Sequence, residues 1–184
     1  MIRRRALPTL LIFVACVIAG CGSGEPTLVA DTEGVYLDLG QLHYQIQLSR
    51  QLNPADPEDV AYLRGLSPAD AHLSARQAFF AVWIRVENRT DRAQQPAQSF
   101  EVADTRGNVY RPLFPDATNL LAYRSQGVPA HSKIPAPGSL AESSPTQGSV
   151  LLFKVDVAAY DNRPLTLTIA NPASGQSGHA DLDV

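Results

Sequence analysis

Phe80-Ala81-Val82-Trp83-Ile84-Arg85-Val86-Glu87 is the stretch that decides the fold. Residues two apart on a strand point to the same face. Phe80, Val82, Ile84 and Val86 therefore share one side, opposite Ala81, Trp83, Arg85 and Glu87. The same period recurs outward in both directions. Leu42, Tyr44, Ile46 and Leu48 alternate with His43, Gln45, Gln47 and Ser49. Leu151, Phe153, Val155 and Val157 alternate with Leu152, Lys154 and Asp156; Leu165, Leu167 and Ile169 with Thr166 and Thr168. Ala180, Leu182 and Val184 close the chain against Asp181 and Asp183, and Val35-Tyr36-Leu37 is a further short candidate. Each apolar set fits the inner side of a half-exposed antiparallel sheet. Seven or eight such strands predict an all-β sandwich.

The connections carry their own signals. Asp104-Thr105-Arg106-Gly107-Asn108, between Val102 and Tyr110, reads as a tight hairpin, because Gly107 takes positive φ at low cost. Asn53 to Gln77 reads as a helical excursion. Asp56 is an N-cap, Pro57 suits the first helical position, and Asp59 is placed to bond back as in a capping box. Glu58 and Asp59 also suit the positive end of a helix dipole. The insertion is expected near 56–66, burying Val60 and Leu63, with a second turn at Ser67-Pro68-Ala69-Asp70. An exposed Trp is unusual on a soluble domain. Trp83 is therefore expected beneath this excursion, with Leu63 or Leu66 on its ring; an exposed, ligand-binding Trp is the competing reading. Leu113 to Gly148 is a long irregular stretch holding Pro115, Pro129, Pro135, Pro137 and Pro145. Loops of that length are functional or disordered. Leu120 to Tyr123 can pack back on the sandwich, and Ser139 to Gln147 reads as solvated and mobile.

The N-terminus reads as an address. Arg3, Arg4 and Arg5 precede an apolar run from Ala6 to Ala19, short for a membrane-spanning helix and suited to a signal-peptide core. It ends in Ile18-Ala19-Gly20-Cys21, which resembles a bacterial lipobox. That resemblance implies cleavage before Cys21, a diacylglyceryl thioether on its sulfur, and residence on the extracytoplasmic side of the cell membrane or envelope. The expected division is a signal peptide over 1–20, a lipidated Cys and flexible tether over 21–33, and one sandwich domain over 34–184. The mature chain would hold twelve basic and eighteen acidic residues, no Met, and only a modified Cys. Intramolecular disulfides, thiol catalysis and Met-based copper sites then drop out.

The central block resembles the telokin-like, immunoglobulin-like domain of secreted and lipid-anchored bacterial proteins, related in fold to a secreted immunoprotective antigen. The resemblance lies in Ile84 to Asp91, where a strand ends in a polar Asn-x-Thr-Asp turn. It continues in Phe100 to Tyr110, a hairpin with Phe on one arm and Tyr on the other, and in Pro137-Gly138 followed by Leu151-Leu152-Phe153-Lys154-Val155. The stretch between Pro137-Gly138 and Leu151 is longer than the family pattern. These motifs imply an immunoglobulin-like antiparallel sandwich and an extracytoplasmic location, and carry no chemistry.

Composition and motifs narrow the function. The chain has 184 residues, 45% hydrophobic and 18% charged, with formal net charge −3. That mildly acidic balance argues against a nucleic-acid partner. Two Cys exclude a disulfide scaffold or Cys-rich zinc module. His43, His72, His131 and His179 lack any short His-to-His spacing. In His179-Ala180-Asp181-Leu182-Asp183 the polar groups share a strand face, but at about 6.6–7 Å spacing they read as the solvated face of an edge strand. Nothing resembles a calcium loop, though Asp104 or Asp116 is left open for a structural ion. There is no Gly-x-Ser-x-Gly elbow and no phosphate-binding glycine loop. No catalytic residue, metal or cofactor is expected, and the chain is not expected to be an enzyme. Asn88-Arg89-Thr90 reads as a turn rather than a glycan site.

Tyr62, Arg64, Tyr123 and Arg124 are the binding candidates, because Tyr and Arg anchor interfaces and these four lie in irregular segments. Packed Tyr and solvated Arg is the alternative. The expected role is lipid-anchored and non-enzymatic: binding, assembly or envelope maintenance, with membrane lipid engaged through Cys21 and an envelope protein as partner. A small-ligand or metal-binding lipoprotein serving a membrane system is the alternative. It requires a closed pocket under the long loop.

Overall fold

The computed structural model describes residues 25–184. The expected signal segment 1–20 and Cys21 lie outside the described residues. The architecture is an all-β sandwich of two sheets with short helical insertions. In chain order the strands are β1 (Val29–Ala30), β2 (Tyr36–Leu39), β3 (Leu42–Leu52), β4 (Gln77–Asn88), β5 (Ser99–Ala103), β6 (Val109–Tyr110), β7 (Pro112–Leu113), β8 (Ser132–Ile134), β9 (Ser149–Asp156), β10 (Leu165–Asn171) and β11 (Gln176–Leu182). One sheet runs β1-β11-β10-β5-β6. The other runs β2-β3-β4-β9-β7, with β8 continuing the β9 side of β4. Seven of these strands have four residues or more, matching the expected number.

β4 organises the molecule. It pairs with β3 along one side, and with β9 from Gln77 to Ile84 and β8 from Val86 to Asn88 along the other. Phe80, Val82, Ile84 and Val86 pack between the sheets with Leu42, Tyr44, Ile46, Phe153, Val155, Leu165, Leu167, Ile169, Ala180 and Leu182. The opposite face of β4 is buried too. Phe79, Ala81 and Trp83 form a second cluster with Leu52, Leu121, Ala122, Ala141, Val150 and Leu152. Strands buried on both faces read as continuous apolar runs, and seven consecutive residues of β4, Ala78 to Ile84, are buried. The sandwich thus carries a third layer, formed by the excursion and the long loop.

Local chemistry explains the elements the sequence announced. α1 (Pro57–Leu63) starts where Asp56 Oδ1 accepts from Glu58 N at 2.9 Å. α2 (Pro68–Ala71) starts where Ser67 Oγ accepts from Asp70 N. The β5–β6 hairpin turns through Gly107 at φ +83, while the Asp104 carboxylate accepts from the Arg106 and Asn108 amides. Asn88, the sequon residue, is buried. Its Oδ1 accepts from Thr90 N and Oγ1, and its amide donates to the carbonyls of Arg92, Val128 and Pro129.

Several expectations are corrected. Leu48 does not face the core: the β3–β4 register shifts between Ile46 and Leu48, which sends Leu48 to the outer face and leaves it 36% exposed. Val60 is 47% exposed, because α1 turns its Leu63 side inward. Val157 is exposed, since β9 stops at Asp156 and a 3-10 turn (Val157–Asp161) follows. Asp59 does not bond back to the cap but reaches Arg50. Ser139 to Gln147 is not a featureless solvated loop. It holds α3 (Leu140–Ser143), with Ala141 buried. β11 is not an edge, because β1 pairs with it in parallel at His179 and Ala180. The ordered sandwich accordingly starts ahead of Gly34, within the segment expected to be tether.

Candidate functional site

The third layer is the part a plain sandwich does not need, and it gathers the segments expected to carry function. It is built on Trp83, which is fully buried. Tyr62 of α1 meets the indole edge-to-face, with centroids 5.0 Å apart and planes at 89°. The Arg50 guanidinium lies over the ring at 5.2 Å. Leu63, Leu66 and Leu73 pack on the same cluster. The expected cover is therefore present, and Tyr62 joins the leucines over the indole. Trp83 Nε1 is buried without a hydrogen-bond partner among the described residues.

Arg50 is held in turn by Asp59. The guanidinium donates twice to the carboxylate, at 3.0 and 2.5 Å, and Asn53 N donates to Asp59 Oδ2 at 2.7 Å. Such paired donors stabilise the ionised form. Arg50 above all holds the Asp59 carboxyl below its ordinary range, with Asn53 N adding to this against the cost of burial.

Asn119 fastens the long loop to the excursion. Its amide donates to Tyr62 O at 2.7 Å and Arg64 O at 2.9 Å, satisfying carbonyls at the end of α1. Its Oδ1 accepts from Leu121 N and Ala122 N at 3.0 and 3.1 Å. Asp116 N donates to Gly65 O at 2.8 Å beside it. Neither Asn119 nor the Arg50–Asp59 pair stands out in the sequence. The capping pattern assigns Asp59 elsewhere, and the Asp116-Ala117-Thr118-Asn119 run signals a turn but not its partner.

The four binding candidates separate. Tyr62 is committed to Trp83. Tyr123 is half-buried against Phe100 and donates to Ala97 O at 2.8 Å, and burial pushes its hydroxyl pKa up. Arg124 donates to the carbonyls of Pro115, Asp116 and Asn119, bracing the loop. Arg64 is exposed. Tyr62, Arg64 and Arg124 lie in the third layer, whereas Tyr123 packs against the inter-sheet core.

Two features of this layer face solvent. Phe114, Leu120 and Leu140 are 76%, 68% and 56% exposed, although the residues beside Leu120 and Leu140 are packed down. A cavity of about 350 Å³ opens beneath the loop. Leu120, Val128, Ile134 and Ala141 form its apolar wall, and Lys133, Ser132 and Ser149 add polar groups. Lys133 Nζ pairs with Glu142 Oε1 at 2.6 Å at its rim.

Elsewhere His43, His131 and His179 each meet at most one carboxylate among the described residues. His43 bonds Asp38, His131 bonds Asp91, and His179 meets Thr168 across β10 and β11. Asp181 and Asp183 accept from Thr166 and Thr32. Among the described residues no three His, Cys, Asp or Glu side chains converge on a point. No described helix is long and apolar enough to cross a membrane.

No protein-family model matches the chain, and no curated protein matches it. Two solved structures are similar to it. One is a candidate lipoprotein (ycdA) from Bacillus subtilis subsp. subtilis str. 168, at 11% identity and TM-score 0.48, the match covering 80% of this chain and 38% of that one. The other is a functionally unknown protein from Listeria monocytogenes EGD-e, at 10% identity and TM-score 0.48, covering 83% of each chain. The chain thus spans well under half the length of the Bacillus protein.

Proposed function

We propose that the chain is an extracytoplasmic lipoprotein, anchored through Cys21, whose telokin-like sandwich serves a non-enzymatic binding, assembly or envelope-maintenance role. The anchor rests on the basic head, short apolar core and small-residue Cys box of residues 3–21. The binding role rests on one observation: a braced third layer that holds Phe114, Leu120 and Leu140 out in solvent. Contiguous exposed apolar surface marks contact sites, and Leu120 and Leu140 line one depression with Ala61 and Leu121. Bracing by Asn119 and Arg124 means that little ordering entropy is lost on contact. The partner in this reading is an envelope protein. The test is capture of partners by the membrane-anchored protein, compared with a Phe114→Ser, Leu120→Ser variant. The reading expects a specific protein that the variant loses. Identical captures from both would remove the third layer from the account.

A second reading is favoured by the cavity under the loop, a small-ligand or metal-binding lipoprotein serving a membrane system. A volume near 350 Å³ falls at the lower end of small-molecule sites, but the cavity is open to solvent along Leu120, where this reading requires a closed one. Metal analysis of the purified protein, and its Tm with and without chelator, tests the metal branch.

A further inference from the structure

We infer that the sandwich sits on the bilayer with one chosen end down: the end formed by the β2–β3 turn, residues 89–95, residues 129–133 and the β10–β11 turn. The inference rests on the Cys21 anchor proposed above and adds the orientation and the lipid-facing surface.

The path of the chain sets the geometry. β1 runs parallel to β11, so the residues before Val29 lead toward the Gln176 end of the sandwich. Thr27 O accepts from Asp38 N, and Asp38 lies in register with His43 and then Glu87, one residue from the end of β4. The chain therefore enters at the Asn88 end. The loops at this end are tied together: Gly40 N donates to Gln176 Oε1 at 2.6 Å, and Gly40, Gln94, Asn171 and Ser174 line one cleft. The six steps from Cys21 to Thr27 reach at most about 20 Å. β4, with twelve residues, spans about 40 Å. A lipid on Cys21 can thus bring the entry end to the membrane, whereas the far end stays beyond its reach without inverting the domain.

Charge divides along the same axis. The entry-end loops 40–41, 89–95, 129–133 and 171–176 hold three Lys or Arg and one Asp, among many Gln, Ser and Asn; Arg89 is paired with Glu87 at 2.7 Å and Lys133 with Glu142 at 2.6 Å, so this end is close to neutral. The far-end segments 31–35, 104–108, 156–163 and 181–184 hold seven Asp or Glu against two Arg. These ends are several Debye lengths apart at about 0.1 M salt, so each meets a surface on its own terms. An anionic lipid surface repels the acidic far end and leaves the near-neutral entry end free to approach. Tether length and charge select the same orientation independently.

The experiment uses the full-length chain, expressed, processed and purified with its lipid, in vesicles of phosphatidylcholine and phosphatidylglycerol. Ala173→Cys at the entry end and Ala158→Cys at the far end, both exposed, are each labelled with an environment-insensitive fluorophore. A fraction of the lipid carries a nitroxide on its headgroup. The expected result is loss of fluorescence at 173 and none at 158. Equal loss at both sites, or greater loss at 158, overturns the orientation while leaving the anchor in place. A chain that carries no acyl mass and does not float with the vesicles overturns the anchor and the orientation together.

Discussion

Replacing Asn119 with Ala is the sharpest perturbation of the third layer. The side chain is 3% exposed and joins four backbone groups from two segments nearly sixty residues apart. Truncation leaves Leu121 N and Ala122 N unpaired in a buried setting, and Tyr62 O and Arg64 O unpaired in a partly wet one. A buried donor left without a partner costs about 1–3 kcal/mol, and carbonyls that water can reach cost far less. The expected loss is about 3 kcal/mol. At a urea slope near 2 kcal/mol/M, that lowers the midpoint by about 1.5 M with the slope unchanged. Urea titration followed by Trp83 fluorescence and far-UV circular dichroism reads both quantities. Trp83 reports the layer directly, because its ring lies under Tyr62 at the end of the helix that Asn119 caps. A loss below about 1 kcal/mol would refute the reasoning, since water would then be replacing all four bonds.

Other outcomes follow from the same packing. Trp83 should emit at short wavelength and resist iodide, and a red, easily quenched emission would contradict its burial. Gly148→Ala should destabilise by about 1–3 kcal/mol, because a Cβ there would lie 2.9 Å from Trp83 Cβ and 3.2 Å from Ile84 N, neither of which can move aside; chemical denaturation checks it. Asp59 has its folded-state pKa lowered by Arg50. Its contribution to stability is thus full above the unfolded value near 3.9 and lost as pH falls through the folded value. Tm measured from pH 6 to pH 3 should drop more steeply below about pH 4 in the native chain than in Asp59→Asn. Parallel curves would remove the Arg50–Asp59 pair as a determinant.

The β core was legible because alternation reports burial directly. Phe80, Val82, Ile84 and Val86 face inward as their spacing requires, and so do Leu165, Leu167 and Ile169. The helix start was legible for a local reason: Asp56 and Pro57 satisfy the first-turn geometry from within four residues. What stayed hidden depends on distant partners. A bulge after Ile46 flips Leu48, yet leaves no mark in composition. β8 has room because β9 begins only at Ser149, opposite Ile84, which leaves Val86 to Asn88 open for pairing. Ser139 to Gln147 looked solvated by composition, but Ser139 caps α3 and Ala141 packs on the Trp83 cluster. In the candidate site, Trp83 announced the cover that it needs. Asn119, which fastens that cover, looked like one more turn residue.

The most direct test of the central claim is the intact mass and membrane partition of the native protein against Cys21→Ala. The account predicts a native chain beginning at Cys21, carrying acyl mass on that residue and sedimenting with membranes, and a variant without acyl mass that leaves them. Two soluble proteins, cleaved elsewhere and of equal mass apart from the substitution, would contradict it.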